Sequence, residues 1–418
     1  MLINPAHTRL HASTIAIDDP GMLVDYLPAS GGAAFGRMGN VFVAIGEIAR
    51  IETDSMAEAD QWWREHVQIL ENETELPGVF GVGPLAYGSF VFDPEHTAQK
   101  SVLIIPETII GRRNGQCWLT KIGYDRVTPT MPPRQALPQA PLGLRFETGS
   151  LPDGEWMELV RQAVIAIRAG EADKIVLSHD LIARADQDID LRWPLVQLMS
   201  EYVDSWSYLI DGMVGSTAQL LVRRENGLTV SRILAGGAGR IDESPDIEQA
   251  ARIIASVKDQ HDHDLCRSIL VEQLRPLMVG MHVPAAPYVL TMPNMMQLAT
   301  DISGVTDPQI STLALAAACH PSGTVCGSPA ETARRYIAAH DAMDRGRFGA
   351  PIGWMDVNGD GEWALALRCA QQLADPRQLR LYAGAGIVAQ SRAHAELVET
   401  QAKWSPMRHA LAPKPATI

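Results

Sequence analysis

The 418-residue sequence contains no run of about 18 apolar residues, so a membrane-spanning helix is not expected. The first residues, MLINPAHTRLHASTIAIDDP, lack a basic stretch followed by an apolar one, so a secretory signal is not expected either. Cysteine is sparse: Cys117, Cys266, Cys319, Cys326 and Cys369 are scattered, and no two have CxxC spacing. Neither a disulfide framework nor a zinc site follows from that pattern, and a reducing cytoplasm is the simplest home. Basic residues are outnumbered, 35 Lys and Arg against 49 Asp and Glu, for a formal net charge of −14. That argues against nucleic acid as a partner, because phosphate contacts need clustered Lys and Arg. It leaves a small anionic substrate open, since a few basic groups and a divalent cation reverse the field locally. There is also no GxGxxG and no P-loop. The glycine-rich stretch before the last helix, YAGAGIVAQS (382–391), can bring backbone N–H groups close to an anion but is a weak signal alone.

What remains is the composition of an ordinary soluble globular protein, 46% apolar and 20% charged. Residues 1–150 alternate short apolar runs with Gly and Pro (VFVAIG, GPLAYGSFVF, SVLIIP, CWLTKIG), which predicts strands joined by turns. One helix interrupts them at SMAEADQWWREHVQIL. The Pro-rich TPTMPPRQALPQAPLGL predicts an exposed loop. From 151 to 418 the pattern is mixed. DGEWMELVRQAVIAIRAG predicts an amphipathic helix, KIVLSHDLIAR a strand, and IEQAARIIASVKDQHDHDLCRSILVEQLRPLM one long helical stretch. A hairpin is expected around Asn358-Gly359, and a final helix over SRAHAELVETQAKWSPMRHAL. GSTAQLLVRR (215–224) predicts a buried strand, with the amide of Gln219 anomalous at the head of its apolar run.

Several local features suit chemistry, each with a plainer alternative. Glu396, Glu399 and Lys403 share one helix face, which suits two carboxylate ligands and a cation, or a solvated salt-bridge face. KDQHDHDL (258–265) presents Asp259, His261, Asp262 and His263, either a metal-binding face or an exposed polar one. Lys174 opens an apolar strand, as a snorkelling edge residue or a partly desolvated base.

Taken in order, KIVLSHDL, GSTAQLLVRR, ILAGGAGR, KDQHDHDL, HPSGTVCGSP, DRGRFGAPIGWMDVNGDGEWALALRCA, YAGAGIVAQS and ELVETQAK resemble the motifs of the chorismate-utilising enzymes. These are the isochorismate synthases, salicylate synthases and the large subunit of anthranilate synthase. The likeness runs from about residue 155 to 410, and HPSGTVCG, GDGEWALALR and the earlier GPLAYGSFVF are most similar to isochorismate synthases. The resemblance implies an α+β fold of two large, mainly antiparallel sheets packed together with helices outside. The strand-rich part (1–150) and the chorismate-binding catalytic region (151–418) would form one body, with the active site between the sheets. No fused glutaminase domain is expected.

The resemblance also implies roles. Lys174 would deprotonate the water that attacks the ring. Gln219 stands where a glutamate of the family's SPELL motif protonates the departing hydroxyl. Asp262, Glu396 and Glu399 would hold Mg²⁺. Arg368 and Lys403 would bind substrate carboxylates, the backbone of Gly384, Ala385 and Gly386 would face the substrate, and His320 and Tyr382 would lie nearby. Three positions depart from the family pattern: Gln219 has no titratable proton, Gly237 lacks the hydroxyl of an LAG[ST] motif, and Asp262 is one methylene shorter than the usual glutamate. Three readings follow. The chain interconverts chorismate and isochorismate with a poor proton donor, or it catalyses a related step needing no acid, such as pericyclic loss of pyruvate, or it binds such ligands without turnover.

Overall fold

The short apolar runs of the N-terminal third form strands because β-branched and other apolar residues cluster in them between turn residues. Asn40–Ile45, Leu85–Ser89, Ser101–Ile105 and Gln116–Gly123 are examples. A computed structural model describes residues 9–240 and 244–413. Its strands assemble into two large sheets, of 13 and 10 strands. Both are antiparallel except where Leu10–Ile17 lies parallel to Leu70–Thr74. Distant parts of the chain meet in each sheet. Gly32–Arg37 pairs with Trp206–Ile210 in the larger, and Leu85–Ser89 pairs with Pro351–Asp356 in the smaller.

Aromatic side chains on the facing surfaces join the sheets. Phe42 of the larger meets Trp354 of the smaller edge to face, with ring centroids 6.0 Å apart, within one continuous core that also holds Phe35, Tyr87, Phe90 and Trp363. Such pairs add to plain area burial. The other face of the larger sheet is covered by helices Arg192–Glu201 and Ala393–Leu411, whose Leu195, Leu198, Trp404, Met407 and Leu411 form a second core with Leu379, Leu381 and Val214. Among the described residues no helix is long and apolar enough to cross a membrane.

Two expectations are corrected. The long helical stretch is two helices, Asp246–Ala255 and Val257–Leu274. Ser256 breaks it, with extended backbone and a side chain that accepts the N–H of Asp259, so it caps the second helix. GSTAQLLVRR is likewise not one strand. Met213–Thr217 belongs to the larger sheet and Leu220–Glu225 to the smaller, with Ala218 and Gln219 crossing between them. A second crossing runs beside it: Gly361–Leu365 lies in the smaller sheet, Cys369–Gln372 in the larger, and Ala366–Arg368 connects them. The two segments stay paired throughout. Gly215 is opposite Cys369 and Leu220 opposite Ala364, while the Ser216 N–H donates to the Arg368 carbonyl (3.3 Å) and the Leu365 N–H to that of Gln219 (3.2 Å). A single two-stranded ribbon therefore passes from one sheet into the other, and Gln219 and Arg368 sit on it at the passage.

Candidate active site

Beside this passage is an open cavity of about 890 Å³ lined from both sheets and from two helices. Lys174 enters it from the first position of the strand Lys174–Arg184 and is only 2% exposed. Room for it comes from the neighbouring strand, Gln378–Ile387. A Cβ on Gly386 would lie 2.7 Å from Lys174 Cε. Lys174 Nζ forms a close ion pair with Asp262 and lies 3.2 Å from Cys266 Sγ. Asp262 and Cys266 are one turn apart on Val257–Leu274, which is why both reach the same ammonium. Burial works to lower the Lys174 pKa, but the Asp262 carboxylate and Cys266 outweigh it and hold the amine charged above the ordinary lysine value.

The LAGG segment explains how that helix is seated. The strand Leu228–Gly239 slips register against Met295–Thr306 between Leu234 and Gly237. Gly236 has φ +71°, and a Cβ there would meet the Asp259 carbonyl oxygen at 2.5 Å. The bulge thus turns two successive N–H groups onto the helix: Gly236 donates to Asp262 Oδ2 and Gly237 to Asp259 Oδ1, each at 3.1 Å. Gly237 is therefore not simply a residue short of a hydroxyl, because a side chain there would come 2.2 Å from the Met296 carbonyl oxygen.

The last helix supplies Glu396, Glu399 and Lys403. Glu399 pairs with Lys403 (2.6 Å), whose Nζ also donates to the Gly384 carbonyl (2.7 Å). Glu396 is buried and pairs with Lys258 (2.6 Å). Its other oxygen, Oε2, is buried without a well-formed hydrogen bond, with Ser391 as its polar neighbour. Burial raises the Glu396 pKa, reinforced by Glu399, and burial raises that of Asp259. Each carboxylate expected to hold Mg²⁺ thus faces a lysine: Asp262 with Lys174, Glu396 with Lys258, Glu399 with Lys403. Among the described residues, the His/Cys/Asp/Glu trio whose ligand atoms all converge within 4.8 Å is instead Asp93, Glu95 and His96, and Arg334 already bridges its two acids.

Arg368 differs from the lysines. Its backbone takes φ +51° at the crossing. Nη2 lies 3.0 Å from Met295 Sδ and 3.4 Å from Gln297 Oε1. Among the described residues no carboxylate lies within 4.0 Å of it, and burial pulls its pKa down. Gln219 is buried, and its Nε2 donates to Thr324 Oγ1 (2.7 Å), itself 3.0 Å from Ser322 Oγ.

The family model for chorismate binding enzymes matches residues 36–412. The chain belongs to the chorismate binding enzyme family. It is 33% identical to the isochorismate synthase DhbC of Bacillus subtilis over 342 residues, covering 78% of this chain and 81% of that one. It is 33% identical to the isochorismate synthase EntC of Escherichia coli over 356 residues, covering 83% and 86%. Among solved structures, a putative 2,3-dihydroxybenzoate-specific isochorismate synthase, DhbC from Bacillus anthracis, superposes with a TM-score of 0.77 at 28% identity over 93% of this chain and 98% of that one. The menaquinone-specific isochorismate synthase MenF from E. coli shares the fold, with a TM-score of 0.82 at 21% identity over 98% and 96%. The chain is thus an isochorismate synthase-like chorismate-utilising enzyme.

Of the residues expected in this family site, Lys174, Gln219, Asp262, Arg368, Gly384, Gly386, Glu399 and Lys403 all line the cavity. Four others do not. Ala385 points to the opposite face of its strand, into the core, as alternation requires. Tyr382 is buried against Phe348, rings stacked at 5.1 Å, and it is Phe348 that reaches the cavity. Glu396 lies behind the wall with Lys258. His320 is turned away, Nε2 2.9 Å from the Phe92 carbonyl oxygen, and burial pushes its pKa down to about 4, so it is neutral and offers no charge to a carboxylate. His263 of the supposed polar face is fully buried between Ala235 and Thr300, while His261 is exposed. Thr324, Asn294 and Gln297 in the cavity, and Lys258 beside Glu396, are not among the residues expected from the sequence. A signal existed for Gln297: it is a lone amide in the apolar strand segment MMQLA, the same anomaly that marked Gln219.

Proposed function

We propose that this protein is a Mg²⁺-dependent enzyme that interconverts chorismate and isochorismate, with Gln219 in the place of a general acid. The observation that carries the reading is Arg368, a cavity-lining guanidinium without a carboxylate partner among the described residues. A planar fork of donors held in a partly buried site calls for an anionic ligand of matching geometry, and a carboxylate provides it. Lys403 lines the same cavity and offers a second contact to a dicarboxylate.

The acidic residues suit a hard cation. Asp262, Glu396 and Glu399 are oxygen donors, Asp259 lies beside them, and Glu396 Oε2, buried beside Ser391 without a well-formed hydrogen bond, is a further oxygen for such a cation. Mg²⁺ held there would polarise a substrate carboxylate and neutralise charge as it develops. While Lys174 faces Asp262 it stays charged; once Asp262 is engaged elsewhere, burial favours the neutral amine, which can take a proton from water. Gln219 donates a hydrogen bond to a hydroxyl, but an amide has no proton to transfer. The departing hydroxide must then be protonated by water, and turnover is slow.

Gln219 and the charged Lys174 together favour a second reading, loss of pyruvate from isochorismate, in which hydrogen moves within the substrate and the protein fixes the reactive conformer. One substitution separates the two. Purified protein is incubated with chorismate and with isochorismate, with and without Mg²⁺, and products are followed by chromatography and mass spectrometry. Gln219→Glu is expected to raise Mg²⁺-dependent isochorismate formation, toward the roughly 10²–10⁴-fold of general acid catalysis, because a desolvated carboxyl there stays protonated near neutral pH. Release of pyruvate at a rate indifferent to Gln219→Glu would establish the second reading. Absence of both products from wild type and variant would defeat both.

A further inference from the structure

We propose that Lys258 is a built-in counter-cation of the metal-binding acids, holding Glu396 while no divalent cation is present and surrendering it when one binds. The proposal rests on the reading that these carboxylates take Mg²⁺.

Three lysines face three carboxylates, but they are not equivalent. Lys174 is 2% exposed and has a second partner in Cys266. Lys403 is 9% exposed and is anchored a second time on the Gly384 carbonyl. The Lys258 side chain is 34% exposed, and its only hydrogen bond among the described residues is to Glu396, whose side chain is 1% exposed. Lys258 therefore reaches inward from solvent on a flexible stem and has a way back out. A solitary buried carboxylate is strongly disfavoured, so some cation must accompany Glu396 in every stable state of the site. Glu399 and Asp259 add to the negative field at Lys258, which is the field a divalent cation would use.

Charge balance points the same way. Lys174, Lys258, Arg368 and Lys403 offset Asp259, Asp262, Glu396 and Glu399, so the group is formally neutral as it stands. A dication brought into it adds two charges. Withdrawal of the one lysine free to leave relieves half of that excess. Mg²⁺ binding then carries the work of displacing an ammonium, and removing that ammonium should strengthen it.

The test is calorimetric titration of the full chain, stripped with EDTA, using Mg²⁺ alone. Lys258→Met is expected to bind Mg²⁺ about tenfold more tightly than wild type, the usual scale of coupling between neighbouring charged groups, while Lys258→Arg, which keeps the cation, stays near wild type. In EDTA the Met variant should melt below wild type because Glu396 has lost its partner, and saturating Mg²⁺ should close the gap. Lys258→Gln, with a polar but uncharged tip, should bind more tightly as well. In a Glu396→Gln background, Lys258→Met should no longer change Mg²⁺ affinity. Equal or weaker Mg²⁺ binding by folded Lys258→Met and Lys258→Gln overturns the role of Lys258 alone. No Mg²⁺ binding by any of these proteins overturns the metal reading and this proposal together.

Discussion

At the scale of single residues, Gly237 shows how the absence of a side chain can be misread. Against the family pattern it looks like a missing hydroxyl. In the fold its N–H is tied to Asp259, and the volume a side chain would fill is taken by the Met296 carbonyl. Gly237→Thr is therefore expected to destabilise the protein by about 1–3 kcal/mol and to weaken ligand binding by shifting the bulge that holds Asp259 and Asp262. Thermal melts and chorismate titration check both, and a variant as stable as wild type would mean that the bulge relaxes freely. Residues of this kind were half legible in the sequence. Gln219 stood out because an amide beside an apolar run needs a reason. Its partner Thr324 did not, because the two are 105 positions apart and no local pattern joins them. The Lys403–Glu399 pair was legible because both members share a helix face, but Lys174–Asp262 and Lys258–Glu396 were hidden for the same reason as Thr324, since they exist only after distant elements pack.

At the scale of elements, the hairpin of Pro351–Asp356 and Gly361–Leu365 was readable from Asn358-Gly359, and so were most helices. The break at Ser256 was readable too, since Ser256-Val-Lys-Asp259 has the spacing of a helix-capping pair, but the apolar periodicity continuing across it concealed the stop. The hairpin carries a titration of its own. Asp356 is buried at its turn, where Oδ1 accepts the N–H groups of Asn358 and Asp360. Burial pushes the carboxyl up to about 7, against those hydrogen bonds and with help from Asp360. A folded-state pKa raised above the unfolded one means that the native protein holds the extra proton, so this residue's contribution is fully present below about pH 4 and is lost as pH rises through about 7. Asp356→Asn should flatten stability between about pH 5 and 8, on the order of a few kcal/mol at most. Urea midpoints at those two pH values measure it, and an unchanged slope would show that Asp356 is not the titrating group.

For the whole molecule, the short apolar runs between Gly and Pro told which segments are strands but not which strands are neighbours. A run of apolar residues marks a strand, whereas adjacency depends on partners such as Gly32–Arg37 and Trp206–Ile210 that lie far apart along the chain. The two-sheet architecture came instead from motif resemblance, and no periodicity announced that GSTAQLLVRR and ALALRCA would each leave one sheet for the other. That shared passage has a mechanical meaning. Because one ribbon is common to both sheets, neither can open along it without loosening the other, and the two should melt as a single cooperative unit. The amides of Ser216 and Leu365, bonded across the ribbon where it changes sheets, should exchange with deuterium only through global unfolding, at the free energy of the slowest amides in either sheet. If one sheet became exchangeable at a denaturant concentration that left the other protected, the ribbon would be a flexible strap rather than the seam that holds Gln219 and Arg368 at a fixed separation.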